Sequence, residues 1–256
     1  MLKRYVKGAL SRLGYDLVRR GEGGGRYPAD FSAEDIRVIE SVRAYTMTSP
    51  ERMFCLMRAV EHLVAAHVPG AFVECGVWRG GSMMIVAQTL SRLGIKQAEL
   101  YLYDTYEGMT APSEADVRHD DASAKQRFQQ LAADGEKWCY ASLSEVERNL
   151  AGTGYPKEHM HFVKGAVEET IPGTAPASIA LLRLDTDWYE STKHELVHLF
   201  PRISPGGILI IDDYGHWKGS RKATDEYFAD QGIVPFLQRV DYTSRLFIKA
   251  AALQVE

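Results

Sequence analysis

Four acids stand at the ends of two short apolar runs. Asp185 and Asp187 follow the run 179–184, and Asp212 and Asp213 follow the run 207–211. Carboxylates gathered in one place repel one another and lose hydration, so a cation or a proton must offset them. Oxygen-only donors suit a hard divalent ion such as Mg²⁺, and no Cys or His has the spacing of a zinc site. The alternative is a solvated loop rich in acids.

The elements between these acids decide whether they meet. The segment 189–200 carries Leu196, Val197, Leu199 and Phe200 at helical spacing, and Pro201, Pro205, Gly206 and Gly207 then force a turn. Strand, helix, strand is a crossover, which makes the two strands parallel and puts both carboxyl ends on one edge of a buried sheet. Open α/β sheets bind ligands at that edge.

A second cluster lies upstream, in AFVECGVWRGGS at 71–82. A short strand ends at Glu74, glycines follow at 76, 80 and 81, and an apolar helix comes next. Glycines let a backbone turn tightly against a ligand, and the helix start offers free N–H groups. The dinucleotide fingerprint is absent, because Trp78 stands where its second glycine would fall. The next strand, 99–103, ends in Asp104 about 20 to 30 residues after the turn, where an acid commonly binds ribose hydroxyls.

The polar segment 109–150 follows a strand's carboxyl end and is expected to form a lid over the site. His119 within it is a candidate base or substrate contact, against the alternative of plain exposure. Further helices are expected over 31–45, where Ser32 and Asp35 form a capping box, and over 51–67, 122–133, 142–150 and 224–232. A third strand is expected over 160–164, and a terminal antiparallel pair over 234–240 and 244–248.

With 256 residues, 45% of them hydrophobic, the chain can build one large α/β core. The expected organisation is a basic arm and linker over 1–26 and one domain over 27–256. A net charge of −4 with dispersed basic residues argues against a nucleic-acid partner. Three cysteines without a CxxC pattern fit a reducing, cytoplasmic setting. No apolar run reaches about 18 residues, so no membrane span is expected. The arm is amphipathic enough for peripheral membrane contact. Gly8 and Gly14 weaken an isolated helix and favour packing on its own domain or on a second subunit of a homo-oligomer such as a dimer.

Taken together, VECGVWRGGS, LYDTYEGM, LLRLDTDWYEST and GGILIIDDY resemble the macrocin O-methyltransferase family, over about 45–227. The resemblance implies an α/β class I methyltransferase fold of Rossmann-like type. That fold has a mostly parallel central sheet, an antiparallel C-terminal strand and helices on both faces. It also implies S-adenosylmethionine, Mg²⁺ and a sugar or glycosylated small molecule as acceptor. Glu74, Cys75, Gly76, Val77 and Trp78 would then line the methionine end of the cofactor, and Asp104, Thr105, Tyr106, Glu107 and Gly108 its ribose. Gly165 and Ala166 would flank the adenine, with Thr46 and Met47 closing the pocket. Asp185, Asp212 and Asp213 match the family's metal ligands, and Asp187 matches a general base. A catechol-type methyltransferase acting on an aromatic diol and a non-catalytic nucleotide-binding module remain as rival expectations.

Overall fold

A computed structural model describes residues 27–250; the expected basic arm over 1–26 lies outside the described residues. The chain separates into the units Met1–Ile36 and Arg37–Glu256. Within the first, Ser32 and Asp35 form the expected reciprocal cap: the Asp35 N–H donates to Ser32 Oγ (3.1 Å) and the Ser32 N–H to Asp35 Oδ2 (3.0 Å).

The larger unit is built on a seven-stranded sheet of order β3-β2-β1-β4-β5-β7-β6. Its strands are β1 (Ala71–Cys75), β2 (Leu100–Asp104), β3 (Met160–Lys164), β4 (Ile179–Leu184), β5 (Ile203–Ile211), β6 (Gln238–Arg239) and β7 (Arg245–Ile248). The pairs from β3 through β5 are parallel, whereas β7 runs antiparallel to both β5 and β6. β1 and β4 are buried throughout. Such central parallel strands read as continuous apolar runs, which is why they were legible.

The helices are α1 (Ala33–Val42), α2 (Pro50–Ala65), α3 (Gly81–Arg92), α4 (Ala124–Ala133), α5 (Leu143–Ala151), α6 (Val167–Thr170), α7 (Tyr189–Leu199) and α8 (Lys218–Asp230). Besides Ser32 at α1, serine side chains cap three more of them: Ser49 for α2, Ser123 for α4 and Ser142 for α5. α3 packs against α2 and α5, and α7 against α6 and α8. Right-handed crossovers leaving the sheet centre in opposite directions put these groups on opposite faces.

The expected strand 234–240 shrinks to β6, because Pro235 lacks the N–H a ladder needs and Val234 and Phe236 are exposed. The last helix starts at Lys218, six residues before the expected 224. Among the described residues, no helix is long and apolar enough to cross a membrane.

What positions the site is the continuation of the ladder past the strand ends. The Gly76 N–H donates to Tyr103 (2.9 Å), Asp185 N–H to Cys75 (2.8 Å), Asp212 N–H to Leu184 (2.9 Å) and Gly165 N–H to Asp104 (3.0 Å). These bonds align the first residues beyond β1, β3, β4 and β5 on one rim.

Candidate active site

The glycine turn after β1 is forced by its neighbour. Gly76 has φ +83°, and a Cβ there would lie 2.1 Å from the carbonyl oxygen of Asp185. Only glycine lets β1 and β4 end this close together. Asp104 then secures the turn. Its Oδ2 accepts the N–H groups of Val77 (2.7 Å) and Trp78 (3.0 Å), and its Oδ1 accepts that of Tyr106 (2.8 Å). Trp78 and Tyr106 take positive φ values of 46° and 53°, uncommon for bulky residues and stabilised here by that shared carboxylate.

Beside the turn is a cavity of about 130 Å³. Of the residues assigned to the cofactor by resemblance, Met47, Gly76, Trp78, Asp104, Thr105, Gly108, Gly165 and Ala166 lie on its wall. The other expected cofactor residues are placed elsewhere. Glu74, Cys75 and Tyr106 are buried behind the wall, with the Tyr106 hydroxyl donating to the Leu102 carbonyl (3.0 Å). Glu107 is turned outward and accepts from Lys137 (2.8 Å) and Lys164 (2.9 Å). Thr46 and Val77 face a neighbouring cleft. The sequence did not single out Cys139, Thr186 or Ser191, which complete the cavity from the lid and from the start of α7.

The acids divide into two sets. Asp185, Asp187 and Asp213 offer carboxylate oxygens that all lie within 4.8 Å of one another. Asp212, expected beside them as a ligand, is held by two arginines instead: Oδ1 lies 2.8 Å from Arg183 Nη2, and Oδ2 pairs with Arg52 Nη1. Arg183 was visible in the sequence only as a lone charge inside an apolar run, and Arg52 as one of several on a helix. Burial pushes the Asp187 carboxyl up to about 7. Burial also raises Asp185 and Asp213 well above the carboxylate range; the pull of Arg183 on Asp185 offsets it only in part, and facing acids add to it at both. Three crowded, half-buried oxygen donors are a set that a hard cation fits. Asp187 has φ +68°, in a turn closed by the Trp188 N–H on the Thr186 carbonyl (2.8 Å). That left-handed backbone stores strain of the kind found at functional sites.

The same acids floor a second, larger cleft of about 350 Å³. Its walls include Tyr45 from the N-terminal side, Trp138 and Arg127 from the lid, and His216, Trp217 and Tyr242 from the C-terminal side. Trp188 packs edge-on against Trp138 and Trp217, with ring centroids 5.7 and 5.1 Å away. The lid over 109–150 is tied down by Asp116, which is buried and whose Oδ1 accepts the Tyr189 N–H at 2.8 Å. A second tie runs from Trp188 Nε1 to the Thr110 carbonyl (3.0 Å). His119 is exposed on the outer flank, its N–H donating to the His216 carbonyl (2.8 Å) and its ring 5.5 Å from the His216 ring. His216, not His119, faces the cleft, with Nδ1 3.1 Å from the Tyr242 hydroxyl. Burial lowers the His216 pKa.

The profile of the macrocin O-methyltransferase family, TylF, matches residues 32–249. The chain is 33% identical over 209 residues to 8-demethyl-8-(2,3-dimethoxy-alpha-L-rhamnosyl)-tetracenomycin-C 4'-O-methyltransferase of Streptomyces olivaceus, covering 82% of this chain and 77% of that one. It is 31% identical over 221 residues to demethyldecarbamoylnovobiocin O-methyltransferase of Streptomyces niveus, covering 83% and 82%. The solved structure of the O-methyltransferase NovP superposes with a TM-score of 0.71 at 29% identity, over 81% of this chain and 83% of that one. The fold is that of the class I O-methyltransferases, and the chain belongs to the macrocin O-methyltransferase family.

Proposed function

We propose that the protein transfers a methyl group from S-adenosylmethionine to a hydroxyl of a sugar or glycosylated small molecule, with Mg²⁺ as the supporting cation. One observation carries the reading: Asp185 and Asp187 line both the cavity at the glycine turn and the larger cleft. A donor in the first and an acceptor in the second would therefore meet over carboxylates. The relatives support a sugar as acceptor, since the Streptomyces olivaceus enzyme is named for a rhamnosyl group, and a third relative, at 32% identity, is mycinamicin III 3''-O-methyltransferase of Micromonospora griseorubida.

In this reading Gly76 and Trp78 receive the methionine end of the donor, Asp104 and Thr105 its ribose, and Gly165 and Ala166 its adenine. Asp185 and Asp213 would hold the cation, with Asp187 at its side. When bound, the ion supplies positive charge that lowers the pKa of an acceptor hydroxyl. Asp187, whose burial keeps its carboxyl near 7, accepts the proton from that hydroxyl. The lid and the Trp138, Trp188 and Trp217 cluster exclude water and orient the acceptor, so that the oxygen is in line with the methyl group.

The test is release of S-adenosylhomocysteine with a panel of glycosides and catechols, with and without a chelator. Turnover of glycosides that stops on chelation is the expected result. Preference for catechols would overturn the acceptor class, and undiminished turnover under chelation would overturn the cation.

A further inference from the structure

Glu195 lies in α7 and is 0% exposed, among the residues of that helix that also bury Thr192, Leu196 and Leu199. An acid in such a place is destabilising unless hydrogen bonds replace its water. Glu195 has one such bond, from the Thr186 hydroxyl to Oε2 at 3.1 Å. Oε1 has no hydrogen-bond partner, and the Cys75 thiol beside the carboxyl is a weak donor. Burial raises the carboxyl well above its ordinary range, and the Thr186 bond offsets this only in part. A leucine would suit the same surroundings without leaving an oxygen unpaired. Packing therefore gives no reason for an acid at this position.

What the bond holds is the turn between β4 and α7. Thr186 stands between Asp185 and Asp187, and its carbonyl accepts the Trp188 N–H at 2.8 Å. Asp187 takes left-handed backbone there, with φ +68°, a conformation that persists only where surrounding contacts hold it. Trp188, the residue before the first turn of α7, supplies no side-chain cap. The Glu195 bond instead fastens this turn to the second turn of the helix that follows it. Asp185, Thr186 and Asp187 all line the cavity at the glycine turn, whereas Glu195 stays behind that wall.

We infer that Glu195 is a positioning residue for the methyl donor: through the Thr186 hydroxyl it sets the 185–187 segment of the cavity wall. The inference rests on the reading of that cavity as the S-adenosylmethionine site.

The probe is S-adenosylhomocysteine, titrated calorimetrically into the full-length protein, with thermal melting read on the same samples. Glu195→Leu removes an unpaired buried oxygen, so it is expected to melt at or above the wild-type temperature while binding S-adenosylhomocysteine about 5- to 10-fold more weakly. A fall in affinity without a fall in stability separates positioning from plain structural support. Glu195→Gln keeps an oxygen for the Thr186 hydroxyl and should stay within about 2-fold of the wild type. Thr186→Val breaks the same bond from the other side and should repeat the loss. The double variant Glu195→Leu with Thr186→Val should bind no more weakly than the weaker single variant, because both changes remove one bond. Losses that multiply in the double variant overturn the inference, as does wild-type affinity in folded Glu195→Leu. Should Glu195→Leu not fold, Glu195→Met replaces it in the cycle, and wild-type affinity in Thr186→Val alone is enough to overturn the inference. A wild-type protein that binds no S-adenosylhomocysteine sinks the donor reading itself, a result distinct from equal binding by wild type and variants.

Discussion

Asp116 of the lid accepts the N–H of Tyr189, the first residue of α7, across a span of 73 residues. Its other oxygen accepts the N–H and hydroxyl of Ser113, both at 2.7 Å. Gly219 makes room for it, since a Cβ there would lie 2.2 Å from Asp116 Oδ1. Asp116→Ala leaves these donors without a partner, at about 1–3 kcal/mol for each buried one. The expected outcome is faster tryptic cleavage within 110–140 and a raised KM for the acceptor. An unchanged cleavage rate would mean that the lid is held by other contacts.

Asp213 belongs to the acid cluster but not to the wall of the cavity at the glycine turn. Asp213→Asn should therefore keep S-adenosylhomocysteine binding while lowering methyl transfer by about 100-fold or more. Calorimetric titration beside a turnover assay reads both quantities, and a variant with full turnover would exclude Asp213 from the chemistry.

Asp104→Ala strips the acceptor from the N–H groups of Val77, Trp78 and Tyr106. With about 1–3 kcal/mol at stake for each donor left buried and unpaired, the melting temperature should fall and S-adenosylhomocysteine affinity with it. Asp104→Asn keeps one acceptor oxygen and should fall between. Equal melting curves for all three proteins would show that the turn holds without this acid.

Cys139 lines the cavity, and its thiol is pushed up to about 12 by burial and by Asp187, Asp185 and Asp213. The thiolate is the reactive form. In chelator-treated protein Cys139 should resist iodoacetamide at pH 8 and react only in strong alkali, as peptide mass spectrometry can follow. Rapid labelling at pH 8 would contradict this placement.

Burial pushes the Glu74 carboxyl up to about 7 despite Arg183, from an ordinary value of 4.5. A raised acid pKa means that the folded protein holds its proton where the unfolded chain has lost it. The stability from Glu74 is thus complete below about 4.5 and declines as pH climbs to about 7. Glu74→Gln lacks this decline, so its melting temperature relative to wild type should rise between pH 4.5 and 7. A constant difference across that range would show that Glu74 is ionised throughout.

Much of the frame was legible because its signals are local. An apolar run that stops at an acid marks a strand end, and a helix between two such runs makes them parallel, which brought Asp185, Asp187 and Asp213 together. Gly76 read as a tight turn, and its close approach to Asp185 is the reason. The lid was legible as a polar insertion, but its fastening was not. Asp116 looked like one acid among several, and His119 drew attention through its chemistry while His216 occupies the cleft wall. Nothing local distinguishes an acid that anchors a loop from one in water.

The sequence by itself determined that four acids reach one rim, since strand ends, crossover handedness and turn glycines follow from residues near one another in the chain. Tertiary structure alone decided how those acids divide. Arg52 reaches Asp212 from 160 residues away, and Arg183 reaches Glu74 from 109. Partners so distant are chosen by the packing of α2 and β1 against β4 and β5, and local spacing carries no record of that choice.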